Sequence, residues 1–332
     1  MPVLDGWRGV AVLGVLFGHF VTIQGINLGR FGVELFFVLS GRLMAEILFV
    51  RSAELPRFYL RRFARVYPAL FVFVVVTTLA SQLLPGFAVD WMAALSSLTF
   101  VYNYVGASGL RSPFMDHLWS LCIEEHIYIV LGIIAFGSRR FGAPAPTIIL
   151  ALAIAFILNG FVQSYALGLD YYAVYWRTDV RGASILLGAA AFLLMRQCAF
   201  PPRVSGMLAV VCGLLAIGLN VNLVPDPIKY SVGSALLAVT AYSITDAPAF
   251  VRTVLASRFL VVTGVASYSL YLWQQPFAQV GQSFMQHMML LPLALIAAAV
   301  SFLLVESPLR RQLNKQIDLC LTNVRATPRS VT

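Results

Sequence analysis

The sequence predicts an all-α fold: a polytopic membrane helix bundle of about ten transmembrane helices, with the N- and C-termini cytoplasmic. Three observations carry this. First, 60% of the 332 residues are hydrophobic and 11% charged, with a mean hydropathy of +0.84. Soluble domains carry about 25% charged residues, so a soluble globular protein is excluded. Second, apolar runs of about 20 residues, enough to cross a bilayer, recur along the chain, and no stretch between them is long enough for a soluble domain. Third, the cations fall unevenly. Arg57, Arg61, Arg62, Arg65, Arg139, Arg140, Arg310, Arg311 and Lys315 fall on the side of the termini. Arg30, Arg111, Arg177, Arg181 and Lys229 fall on the other, as the positive-inside rule requires. The formal net charge of +9 is then a topology signal, and no nucleic-acid partner is called for.

The predicted spans lie near 7–26, 31–50, 68–84, 117–137, 147–166, 180–195, 204–222, 230–245, 259–279 and 289–305. The first is a full-length apolar run with no small-residue cleavage site, as expected of a signal-anchor. Pro68 is expected to open the third. Segment 90–105, DWMAALSSLTFVYNYV, would strand Arg139 and Arg140 on the wrong side if it crossed, so it is predicted to be interfacial or re-entrant. Residues 1–314 form one transmembrane domain, and 315–332 a loose, polar cytoplasmic tail. Cys122, Cys198, Cys212 and Cys320 form no CxxC pair and no metal spacing, so free thiols are expected.

Ionisable residues inside spans are rare and usually face a bundle interior or a wet cavity. On the first span Asp5, Arg8 and His19 share a face: the step from Arg8 to His19 overshoots three helical turns by only about 20° and advances roughly 16 Å. His19 reads either as a packing or pore-lining histidine or as a general base. HLWSLCIEEH (117–126) weighs toward the second. Glu124 lies roughly 10 Å inside its span, at the expected depth of His19. A neutral imidazole oriented by a carboxylate is the arrangement of a general base. Glu34 is a shallower alternative partner. Glu124 also reads as half of a structural ion pair, with Arg177 or Arg181. Zinc is a poor reading, because His117 and His126 fall nearly opposite each other on a helix.

RFYLRRFARVYP (57–68) sets Arg61, Arg62 and Arg65 on adjoining helix faces. It reads as a plain positive-inside anchor or as a site for a phosphate-bearing anion. YWRTDVRG (175–182) places Arg177, Asp179 and Arg181 together, as an internal salt-bridge lattice or a polar acceptor site.

These stretches resemble the motifs of the acyltransferase 3 family of bacterial membrane acyltransferases. LDGWRGVAVLGVLFGHF is similar to its opening motif, GVELFFVLSGRL to its second-span motif, FYLRRFARVYP to its arginine motif and HLWSLCIEEHIYI to its tryptophan–serine–leucine…glutamate motif. YSLYLWQQP (268–276) and ESPLRR (306–311) resemble the two closing motifs. Each match alone is weak, but six in order along nearly the whole chain are specific.

The resemblance implies a ten-helix domain in the bacterial inner membrane. It moves an acyl group, usually acetyl, from cytoplasmic acyl-CoA to a hydroxyl of an envelope polysaccharide, lipopolysaccharide, exopolysaccharide, peptidoglycan or related glycoconjugate. Acyl-CoA is the donor substrate, and no permanently bound cofactor and no metal are implied. Membrane lipid, the glycan acceptor and polysaccharide-assembly proteins are the partners. By carry-over His19 is the catalytic centre and Glu124 the motif glutamate; the placement of Glu34 and Asp5 adds them as candidate catalytic support. Arg8, Arg61, Arg62 and Arg65 face the acyl-CoA phosphates. Arg177, Asp179 and Arg181, with the motif tryptophan Trp119, form the acceptor-side polar cluster.

Three departures from the family pattern matter. Gln274 stands where members often have histidine, so that position is not expected to supply a base. Arg42 replaces an aromatic or aliphatic residue. No fused extracytoplasmic hydrolase-like domain is seen, so a second acyl-handling module is expected on another protein. His19 either takes the proton from a sugar hydroxyl directly or is acylated first and relays the group. Two rival classes remain: a transporter or flippase of a lipid-linked saccharide, and a structural partner in polysaccharide export.

Overall fold

A computed structural model describes residues 1–326 except Thr22, Pro85 and Ala199. Among the described residues the structure is helical, with one isolated β-bridge, Ile26 to Val221. In chain order the helices are α1 (Pro2–Phe20), α2 (Leu28–Ala45), α3 (Leu55–Ser81), α4 (Trp91–Leu98), α5 (Tyr102–Ala107), α6 (Leu118–Phe141), α7 (Ala145–Phe161), α8 (Tyr171–Tyr175) and α9 (Thr178–Met195). There follow α10 (Pro202–Leu219), α11 (Asp226–Ile228), α12 (Ser234–Ser243), α13 (Ala249–Leu255), α14 (Arg258–Val265), α15 (Ser267–Val280), α16 (Phe284–Ser301) and α17 (Ser307–Ala326). Wider π-helical turns continue α2 over Glu46–Val50 and α7 over Val162–Ala166.

Seven helices among the described residues are long and apolar enough to cross a membrane, or eight if the bent pair Asp226–Asp246 and Ala249–Leu255 counts as one. The expected spans at 31–50, 230–245 and 259–279 account for the difference. α2 carries Arg30, Glu34 and Arg42 within one span length. The second folds into the pair bent by 99°. The third is broken between α14 and α15 at Ala266. Segment 90–105 forms the two short helices α4 and α5, neither long enough to cross.

Two boundaries differ from expectation. Pro68 does not open a span: α3 is one helix of 27 residues, with Pro68 inside it. It therefore delivers the arginine motif and the apolar run on a single rod. The tail is not loose over its first part, because α17 runs to Ala326 and Asp318 is clamped by Arg57 and Arg61 at 2.7 and 2.9 Å. Residues 327–332 lie outside the described residues. The four cysteines are free, as expected.

Local chemistry sets the helix ends that matter for the site. Asn27 caps α2 by accepting from the Arg30 amide at 3.0 Å. Gly142 closes α6 in the left-handed region at φ +69°, returning its N–H to the Ser138 carbonyl. The core is built on α9, 72% of whose apolar window is buried, and on α2, which packs most extensively against it. Their approach depends on missing side chains. A Cβ on Gly41 would run into the Ile185 carbonyl, and one on Gly188 into the Val38 carbonyl. Gly18 of α1 meets the Gly29 backbone of α2 in the same way. Small residues give such helices van der Waals contact where lipid supplies no hydrophobic drive.

Gly41→Ala should therefore force α2 and α9 apart and cost about 1–3 kcal/mol. Thermal unfolding of the detergent-solubilised protein measures this, and an unchanged Tm would contradict the close crossing.

Candidate functional site

Two cavities lie inside the bundle, end to end. Four helices, α1, α2, α6 and α15, contribute to both. α1 contributes Arg8 to one and His19 to the other. α6 contributes Glu124 and Tyr128 to the first and His117 and Trp119 to the second; α2 contributes Ser40 and then Gly29 and Arg30. Val33 of α2 and Tyr271 of α15 line both, so the cavities adjoin at this pair.

The first cavity is basic. Arg8, Arg62 and Arg65 line it, against Glu124 as its one lining carboxylate. Arg62 is tied down. Its Nη2 donates to Glu124 Oε2 at 3.0 Å, its Nε to Glu125 Oε1 at 2.8 Å, and its guanidinium lies 4.1 Å from the centre of the Tyr128 ring. Glu124 is saturated as well, because Ser40 Oγ donates to Oε1 at 2.9 Å and Tyr128 Oη to Oε2 at 3.0 Å. Arg65 differs: it makes none of the ion pairs among the described residues, and its charged neighbours include Arg8, Arg62 and Arg310. Arg8 has only Asp5, at 3.7 Å. Two under-compensated guanidiniums beside a fixed one make an anion site that is open for a ligand.

The second cavity, of ≈ 240 Å³, is polar and aromatic. Its centre is His19. Nδ1 of His19 lies 2.7 Å from Gln274 Oε1. An amide oxygen only accepts, so Nδ1 carries the proton and Nε2 keeps its lone pair. Gly29 leaves that edge uncovered, since a Cβ there would stand 3.7 Å from Nε2. Across the cavity Arg111 is held between Asp116 and the rings of Tyr172, at 4.1 Å, and Trp176, at 5.1 Å. Partial burial works against its charge, but the bonds to Asp116 and Tyr172 outweigh that and raise its pKa, so it stays protonated.

The residues expected from the sequence are distributed as follows. Arg8, Arg62 and Arg65 converge, but Arg61 turns away to Asp318 on α17. The expected pairing of His19 with Glu124 is not formed: Glu124 is taken by Arg62, Ser40 and Tyr128, and Gln274 holds the imidazole. Nor does Glu34 reach His19. It is buried in an ion pair with Arg181 and accepts from Ser184 and Ser234, each at 2.7 Å. Asp5 pairs with Arg8 at the opposite end from His19. Glu124 is thus an ion-pair residue, although its partner is Arg62 and neither Arg177 nor Arg181. Of the acceptor-side cluster only Trp119 lines the histidine cavity. Arg177 and Asp179 bind each other at 2.7 Å and join Asn159 in a lattice of their own.

Sequence reasoning passed over Gln274, Tyr271 and His117. Gln274 is expected not to supply a base because it is not histidine, yet an amide three residues after Tyr271 and four before Ala278 sits on the buried face of α15. That periodicity was the available signal.

The geometry predicts opposite effects from two neighbouring arginines. Arg62→Ala leaves Glu124 and Glu125 without their shared cation and should lower stability by about 3 kcal/mol. Arg65→Ala removes an unpaired cation and should leave the Tm at or above that of the wild type while weakening anion binding. Equal losses of Tm would contradict the assignment.

A family model described as an acyltransferase domain matches residues 1–309. The chain is 27% identical, over 94% of its length, to the peptidoglycan O-acetyltransferase OatA of Listeria monocytogenes, of which the match covers 56%. It is 28% identical to the O-acetyltransferase OatA of Staphylococcus aureus and 29% to the putative peptidoglycan O-acetyltransferase YrhL of Bacillus subtilis, covering 57% and 55% of them. The chain thus spans little more than half the length of these relatives. No solved structure matches. With the family model covering nearly the whole chain and the motif residues gathered around two adjoining cavities, the chain belongs to the acyltransferase 3 family.

Proposed function

We propose that the chain is a multi-pass membrane O-acyltransferase. It takes an acyl group, acetyl in the first instance, from acyl-CoA at the arginine cavity and delivers it to a glycan hydroxyl at the histidine cavity. The observation that carries this reading is the adjacency of the two cavities, which share Val33 and Tyr271 as lining residues. Arg8 and His19 stand roughly 16 Å apart along one helix, a span that the extended arm of a CoA thioester can cover. Arg8, Arg62 and Arg65 would bind its phosphates, with Arg61 at most at the rim. The cytoplasm then lies at the arginine end, which agrees with both termini being cytoplasmic and with the inner membrane of a bacterium. In this reading α2, the bent pair and α14 with α15 complete a ten-helix bundle; inside it Glu34 and Arg181 neutralise each other, and Ser184 and Ser234 donate to the carboxylate.

His19, protonated on Nδ1, presents Nε2 as the base or nucleophile. Gln274 does the orienting that the sequence reading gave to Glu124. Trp119, Tyr175 and Trp176 offer flat ring faces against which the C–H face of a pyranose can lie, and Arg111 and Gln275 offer donors to its hydroxyls. Peptidoglycan is the acceptor class we favour, since it is named in the relatives. The transporter reading is not favoured by any feature of the site or by these relatives.

Release of free CoA thiol from acetyl-CoA by the purified protein in nanodiscs, with and without soluble peptidoglycan fragments, tests the reading. Wild type should release thiol and form glycan acetyl ester. His19→Ala should lose at least 10²-fold, in line with removal of a general base (about 10²–10⁴-fold). A wild type that binds acetyl-CoA without consuming it would overturn the proposal.

A further inference from the structure

His117 faces the histidine cavity, and the reading above gives it no part. It is 5% exposed, and neither ring nitrogen has a hydrogen-bond partner. The Leu272 carbonyl stands near the ring without completing a bond. An imidazole buried without partners bears an uncompensated desolvation cost, and such groups in native structures call for an explanation.

The ring is nonetheless held. Phe73 packs edge-on at 5.5 Å and Tyr271 tilted at 5.1 Å, and the Tyr271 hydroxyl donates to the His117 main-chain carbonyl. The neighbouring carboxylate does not serve it, because Asp116 is occupied by Tyr102 and Arg111. Both histidines line one cavity, but they are prepared differently: His19 has one nitrogen committed to Gln274, while His117 has none committed.

We propose that His117 is the acid–base residue for the acceptor, a second catalytic imidazole beside His19; this rests on the acyltransferase reading. The acceptor O–H breaks and its proton passes to a His117 ring nitrogen. The oxygen forms the ester bond to the acyl carbon. The bond from that carbon to its carrier, the thioester sulfur or His19 Nε2, breaks with its electron pair going to the carrier. His117 then gives the proton to the departing CoA thiolate or, when His19 was the carrier and leaves as a neutral ring protonated on Nδ1, releases it to water to offset the thiolate lost in the first step. A second imidazole is needed most when His19 itself carries the acyl group, since it then has no lone pair for the acceptor proton.

The test uses small alcohols that fit the cavity, ethanol and 2,2,2-trifluoroethanol, as acceptors of acetyl from acetyl-CoA in nanodiscs. His117→Gln should lower transfer to ethanol by about 10²-fold and to the more acidic trifluoroethanol by much less. Added imidazole should restore His117→Ala. Equal losses with both alcohols and no rescue would assign His117 a packing role and overturn the inference, as would undiminished transfer by a folded His117→Gln. A wild type that acetylates neither alcohol nor peptidoglycan fragments would fail the acyltransferase reading itself, and this inference with it.

Discussion

Charge neutralisation inside an apolar bundle is the constraint on which this structure depends. A buried charge is tolerated only when paired and hydrogen-bonded. Arg62 of α3 satisfies two carboxylates of α6, and Glu124 takes a further bond from Ser40 of α2. One ion-pair network thus ties three helices at the floor of the arginine cavity. Glu34 and Arg181 do the same between α2 and α9, with serines of α9 and α12 completing the carboxylate. With these charges spent on structure, Arg65, which makes no ion pair among the described residues, and Arg8, which has a long one to Asp5, can meet a ligand. The division between spent and unspent charge is what turns a bundle into a site.

The class of fold was legible because it rests on composition and on run length, which need no knowledge of neighbours. The shared face of Arg8 and His19 was legible for the same reason, since helical geometry alone fixes it. Pairings between helices were not. Depth placed Glu124 opposite His19, but depth leaves azimuth open, and Arg62 claims Glu124 from a third helix. The arginine motif likewise divides by azimuth: Arg62 and Arg65 face the cavity, while Arg61 meets Asp318 of a segment expected to be loose. The expected spans and the long apolar helices part company where polarity or bending interrupts a helix, as in α2 and at the break before α15.

This chain places its motif residues on helices that line both cavities, so motifs distant in sequence come together along one axis. α1, α2, α6 and α15 each contribute to the arginine end and to the histidine end. Tyr271 stands where the ends meet, bonded to Ser120 at 2.7 Å. In the proposed reaction the donor's anionic head stays at the arginines while only its acyl-bearing tip passes this point. The head need not be desolvated deeply, and the reacting carbon reaches a water-poor pocket where His19 and the acceptor meet.

A structure of the protein in nanodiscs with a non-cleavable thioether analogue of acetyl-CoA tests this path most directly. The account predicts phosphates at Arg8, Arg62 and Arg65, and the acyl tip beyond Tyr271, beside His19 Nε2. An analogue seated elsewhere, or one whose tip stops short of Tyr271 with the two cavities closed to each other, would contradict it.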